Sequence, residues 1–99
     1  MSELKKTAAQ ELKETVPFML SDDYKERFIA EYQQTKIRYE RLKSFNTRIE
    51  AAERTGFKEK PVEMPPHDCP RDLLIDQQRL MGQYLHILEV RAVIEGITL

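Results

Sequence analysis

Residues 56–69 (GFKEKPVEMPPHDC) break the chain between two long amphipathic stretches, and with Pro70 they hold four of its five prolines and one of its three glycines. Neither neighbouring helix can run through such a segment, because each proline removes a backbone donor and disfavours helical geometry just before it. The chain must therefore turn back on itself, which predicts an all-α fold built on an antiparallel helical hairpin. A third of the 99 residues are charged, so the apolar core is a narrow seam. A hairpin with so little else to pack against predicts an oligomeric helical bundle whose activity is binding.

The remaining punctuation divides the chain into an arm, residues 1–20, and the hairpin, residues 21–99. In the arm, residues 2–16 suit a short helix with Leu4, Ala8 and Leu12 on one stripe, and Pro17 disfavours helical geometry at Val16. Ser21, Asp22 and Asp23 then open a long helix over about 22–55. Asp23 followed by Glu26 reads as a capping box, and Gly56 is placed for a left-handed cap at its end. Some 33 residues at 1.5 Å each give a rod of roughly 50 Å. The last helix runs over about 70–95, opening at Pro70 and closing at Gly96, with Ile97 packing back.

Periodicity predicts how the rods pair. Phe28, Tyr32, Thr35, Tyr39, Leu42, Asn46 and Ile49 alternate spacings of four and three, the register of a coiled-coil seam. Asn46 is the polar member, so it either selects register and oligomer state, serves a site, or marks a slightly rotated helix with Phe45 inward. The last helix carries two adjacent rows: Leu73, Gln77, Leu80, Tyr84, Ile87, Arg91 and Ile94, and beside it Leu74, Met81, Leu85, Leu88 and Ala92. One partner helix covers one row, so a face two rows wide implies contact with a second subunit or with the N-terminal arm. Tyr39, Leu42, Asn46, Leu80, Tyr84, Leu85 and Leu88 are the expected core and oligomer seam. Gly82 lies among these rows, where a glycine suits a close crossing.

Several kinds of chemistry lack their residues. His67, Asp68 and Cys69 are possible metal ligands, but structural zinc takes four ligands and catalytic zinc three plus water, and His86 stands on another segment. Capping of the last helix by Asp68 or Cys69 is the simpler expectation, with no metal and no cofactor. Cys69 is the sole cysteine, which excludes an intrachain disulfide. Three scattered glycines build no phosphate-binding loop, and Asp72 with Asp76 reads as solvated surface, so no catalytic residue is assigned and the chain is not expected to be an enzyme. Sixteen basic against seventeen acidic side chains argue against a duplex-DNA binder. No run is apolar enough to span a bilayer, and the N-terminus lacks a signal-peptide core, so the cytoplasm is the expected location.

The best binding constellation lies on the middle of the long helix. Arg38, Arg41, Phe45 and Arg48 recur at spacings of three, four and three, placing three guanidinium groups and one ring on a face beside the seam. Arginine pairs bidentately with phosphate and stacks on bases, and phenylalanine offers a second stacking surface. Residues 36–48 hold five basic side chains against one acidic, Glu40. The alternative is a solvated face whose arginines pair with glutamates of a neighbour. Arg91, late in an apolar helix, must snorkel, meet a carboxylate such as Glu50 or Glu53 across the hairpin, or contact a ligand at a subunit junction.

The stretches DYKERFIAEYQQTKIRYERLKSFNTRIEAAE and HDCPRDLLIDQQRLMGQYLHILEVRAVIEGI, with a variable proline-rich loop between them, resemble small helical-hairpin proteins of bacteriophages and prophages, including crAss-like phages. The resemblance covers residues 23–99, and MGQYLHILEVRAVIEGI is its most specific part. More distantly, the organisation is similar to the hairpin domain of phage sponges that sequester cyclic nucleotide signals of CBASS and Thoeris immunity, although the charged run before that domain's last helix is missing here. The resemblance implies a homo-oligomer with ligand sites between subunits, and it carries no site residue across. Two functions follow as expectations. In the first, a non-catalytic sponge holds a cyclic nucleotide or ADP-ribose-type signal in the host cytoplasm. In the second, an anti-CRISPR-like inhibitor binds a host defence protein through a helix face, though a nucleic-acid mimic would be more acidic.

Overall fold

Thr7 and Gln10 set the first boundary of the fold. The Gln10 amide donates to the Thr7 hydroxyl at 3.1 Å and the Thr7 amide to the Gln10 side chain at 2.7 Å, a reciprocal cap that starts α1 (Ala8–Glu14). The computed structural model describes residues 6–99, so Ser2 and Leu4 of the expected arm helix lie outside the described residues. Every regular element among the described residues is an α-helix: α1, α2 (Val16–Met19), α3 (Tyr24–Arg54) and α4 (Arg71–Glu95). Val16 is helical, contrary to the expectation from Pro17. The chain bends at Thr15, so the proline falls in the first turn of α2, where its missing N–H leaves no helical bond unmade.

Thr15 also fastens the arm to the hairpin. Its hydroxyl is buried, donates to the Leu12 carbonyl at 2.6 Å and accepts from the Gln34 amide at 2.8 Å. Helix α3 begins at Asp23, whose carboxylate accepts from the Lys25 amide at 2.8 Å. The expected box is incomplete, because Glu26 receives the Ser21 hydroxyl, and that same hydroxyl accepts from the Asp23 amide at 3.0 Å. At the other end Gly56 does not take the left-handed conformation. Thr55 ends the helix instead: its hydroxyl donates to the Ala51 carbonyl at 2.8 Å and accepts from the Val62 amide at 2.9 Å, tying the loop to the last turn. Helix α4 starts after Pro70 without a side-chain cap, so neither Asp68 nor Cys69 caps it. Gly96, at φ 69°, does close it in the left-handed region, the Ile97 amide reaching back to the Ala92 carbonyl at 2.8 Å.

The seam of α3 matches its heptad. Phe28, Tyr32, Asn46 and Ile49 are buried and Thr35, Tyr39 and Leu42 half-buried, while Phe45 is also half-buried one position away. Leu85, Leu88 and Ala92 are buried opposite them, with Leu74 and Met81 half-buried, and Ile97 completes the cluster. The other α4 row is wholly exposed, from Leu73 to Ile94. Leu80 and Tyr84 are thus corrected out of the chain's core, since α3 fills only the Leu85 and Leu88 row. Among the described residues the arm's helices pack on α3 and not on α4, which leaves the exposed row uncovered. A radius of gyration of 17.1 Å, against about 13 Å for a compact chain of this length, reflects how little surface the two rods share.

Asn46 explains the register. Its amide donates to the Leu74 carbonyl at 3.1 Å and to Gln78 at 2.9 Å, and its oxygen accepts from Arg71 at 3.3 Å. All three partners belong to α4 of the same chain, so the residue pins the hairpin. Asn46→Leu is expected to cost about 1–3 kcal/mol, because Gln78 and Arg71 lose a part-buried partner that leucine cannot replace. Hydrogen exchange over residues 71–78 should accelerate as alternative registers open. Gly82 serves the same crossing: a Cβ there would lie 3.2 Å from the Tyr39 ring, which rests on the bare backbone.

Candidate functional site

Three tyrosines tie the helices together and leave the arginines of α3 unused for that purpose. Tyr24 donates to Glu95 at 2.8 Å, Tyr32 to Glu89 at 2.6 Å, and Tyr84 of α4 to Glu31 of α3. The bond to Glu89, reinforced by burial, pushes the Tyr32 phenol up to about 12. A folded-state pKa above the unfolded value of about 10 means stability present below pH 10 and lost as pH rises toward 12. Tyr32→Phe should therefore flatten the alkaline limb of a stability-against-pH curve over that window, read by urea denaturation at each pH. An unchanged slope would show that the tie does not titrate with folding.

The basic stripe runs along the outer side of α3. Arg38, Arg41 and Arg48 are exposed, and Arg38 and Arg48 make no ion pair among the described residues. Arg48 lies over the Phe45 ring at 5.5 Å, and His67 of the loop meets that ring edge-on at 6.0 Å, its Nδ1 held 2.9 Å from the Pro65 carbonyl oxygen. The loop thus positions Phe45 beside a cation. Arg41 approaches Glu11 of α1 at 3.9 Å, a loose surface pair.

Arg91 does not join this stripe within one chain. It donates to the Tyr24 hydroxyl at 2.8 Å and to Glu95 at 3.3 Å, and it lies 5.1 Å from the centre of the Phe28 ring. The expected partners Glu50 and Glu53 sit at the loop end of an antiparallel hairpin, whereas Arg91 sits at the open end. Glu53 pairs with Arg71 at 3.3 Å, and Glu50 with Arg54 at 2.9 Å.

A groove of about 790 Å³ opens between the arm and α3, which sequence reasoning missed. Gln33, Lys36, Ile37, Glu40, Arg41 and Ser44 form its α3 wall, recurring at the spacing of one helix face. That spacing was legible. The opposite wall was not, because the arm's few apolar residues give no sign of where it docks. Among the described residues no group of three or more His, Cys, Asp and Glu side chains could hold a metal ion, and no helix is long and apolar enough to cross a membrane.

The fold and this surface define an all-helical hairpin protein with a buttressing arm and an exposed cationic face on its longest helix. The Sequestin family model matches residues 22–94, spanning α3, the loop and all but the last residue of α4, and the chain belongs to the Sequestin family. The family's name denotes a protein that sequesters. No curated protein and no solved structure matches the chain.

Proposed function

We propose that this chain is a phage-encoded immune-evasion protein, a non-catalytic oligomeric sponge that holds a cyclic nucleotide or ADP-ribose-type signal in the host cytoplasm. The observation that carries this reading is the exposed face of α3, where Arg38, Arg41 and Arg48 share one side of the helix with Phe45 and Arg48 lies over its ring. Guanidinium groups supply phosphate contacts and Phe45 a stacking edge, while sequestration needs no bond to be broken. Family membership supports the same reading. Leu73, Leu80, Ile87 and Ile94 recur every seven residues on the uncovered row of α4, a repeat suited to a helix of a second copy. Assembly on that row would bring Arg91, on the same face, toward a subunit junction.

A thermal-shift screen with cyclic di- and trinucleotides and cyclic ADP-ribose isomers tests the reading. Ligand at a hundred times its dissociation constant adds about 2.7 kcal/mol of stability and a clear rise in Tm. No rise with any of them removes the sponge. The same apolar row, with Phe57, Val62 and Met64 exposed in the loop, favours a second reading in which the chain inhibits a host defence protein such as a CRISPR effector by direct contact. A monomeric mass together with a flat screen would select it.

A further inference from the structure

The groove between the arm and α3 has no part in the stripe except through Arg41, which lines both. Its volume falls within the range of small-molecule sites, and its walls alternate in charge: Lys36 and Arg41 on α3 with Glu40 between them, and Glu11 on the arm. An all-cationic cleft would suit a bare polyphosphate. This one suits a ligand that carries anionic groups and hydrogen-bond donors together, as a phosphorylated nucleoside does. Phosphate oxygens would be met by Lys36 and Arg41, and ribose hydroxyls or base amino groups would donate to Glu40 and the Gln33 carbonyl. Glu11 occupies the Arg41 guanidinium at a distance of 3.9 Å, with both side chains about half exposed, so an incoming phosphate displaces it at little cost.

We propose that a nucleotide with two phosphate groups binds from the Arg41 and Arg48 face down into this groove, with Lys36 as its second phosphate contact and Glu11 as the carboxylate it displaces. This rests on the sponge reading and assigns its ligand a place beneath the arm. Lys36 and Glu11 are not part of the core, so their substitution leaves the hairpin standing.

The test is calorimetric titration of the full chain with cyclic di-AMP, cyclic tri-AMP and cyclic ADP-ribose, comparing Lys36→Ala, Glu11→Gln and Arg48→Ala with the parent. For the probe that binds, Lys36→Ala should raise the dissociation constant about tenfold through loss of a charge-assisted contact. Glu11→Gln should lower it about two- to fivefold, as expected when a competing surface carboxylate is removed. If Arg48→Ala weakens binding while the other two variants match the parent, the groove is overturned and the sponge stands. Weaker binding by Glu11→Gln overturns its role as the displaced group. If the parent binds none of the three probes, the groove proposal falls, and the sponge falls with it only when the wider thermal-shift screen is also flat.

Discussion

Leu88→Asp is expected to unfold the chain, whereas Leu80→Asp is expected to leave it folded and to dissociate the proposed assembly into single subunits. Leu88 is 0% exposed and lies in the seam among Phe28, Tyr32 and Leu85, whose side chains offer a carboxylate no water. A buried unpaired charge costs several kcal/mol, a large part of the total stability of a domain this small. Leu80 is 54% exposed, on the neighbouring row that neither α3 nor the arm covers. A carboxylate there is solvated within one chain and is buried only where a second copy packs. Circular dichroism should show helix lost in the first variant and retained in the second, and light scattering should show the second at monomer mass. A parent that already scatters as a monomer at micromolar concentration would remove the assembly reading and leave the Leu88 expectation intact.

The second large effect is on binding. Arg41→Ala and Phe45→Ala should each weaken nucleotide binding by about 1–3 kcal/mol, roughly a tenfold or greater rise in dissociation constant by calorimetry. Particle mass should not change, because Arg41 is exposed and Phe45 is half-buried outside the α3–α4 core cluster. Phe45→Ala also removes the ring that Arg48 and His67 share, so its loss should exceed that of a stacking contact alone. Two variants that bind every nucleotide as the parent does would reassign the stripe to solvent or to a protein partner. Recovery of a host protein with the parent but not with these variants would then favour direct inhibition.

The long helix was legible because its seam is a single row in which every member but Thr35 is apolar, aromatic or, at Asn46, hydrogen-bonded across the hairpin. Helix α4 was harder. Both of its rows are largely apolar, and which one faces α3 depends on a rotation that spacing alone does not specify, so spacing places Leu80 and Tyr84 in a core or oligomer seam without deciding between the two. For Arg91, charge alone offers Glu50 or Glu53 beside snorkelling or a subunit junction, whereas the antiparallel geometry puts Tyr24 and Glu95 beside it. The helix end at Thr55 shows the same limit on a smaller scale. Gly56 had the right composition for a cap, but the threonine hydroxyl next to it was already satisfying the Ala51 carbonyl. Of the candidate site, the stripe could be read from residue spacing on one helix, while the groove required knowing where a short arm docks through Thr15 and Gln34.

The phenol-to-carboxylate ties bear on how this protein would behave in concentrated electrolyte. Each joins a neutral donor to an anion, so the attraction is short-ranged and suffers little from counterions that would screen an ion pair across the same gap. These three ties are consequently chemically separate from the cationic face, and among the described residues only the Arg71–Glu53 pair at the loop end of the rods is open to the same screening. Raising ionic strength would blunt the grip of the exposed guanidinium groups on an anion while the scaffold that presents them stays closed, which would let a captured phosphate be released by salt from a hairpin that has not come apart.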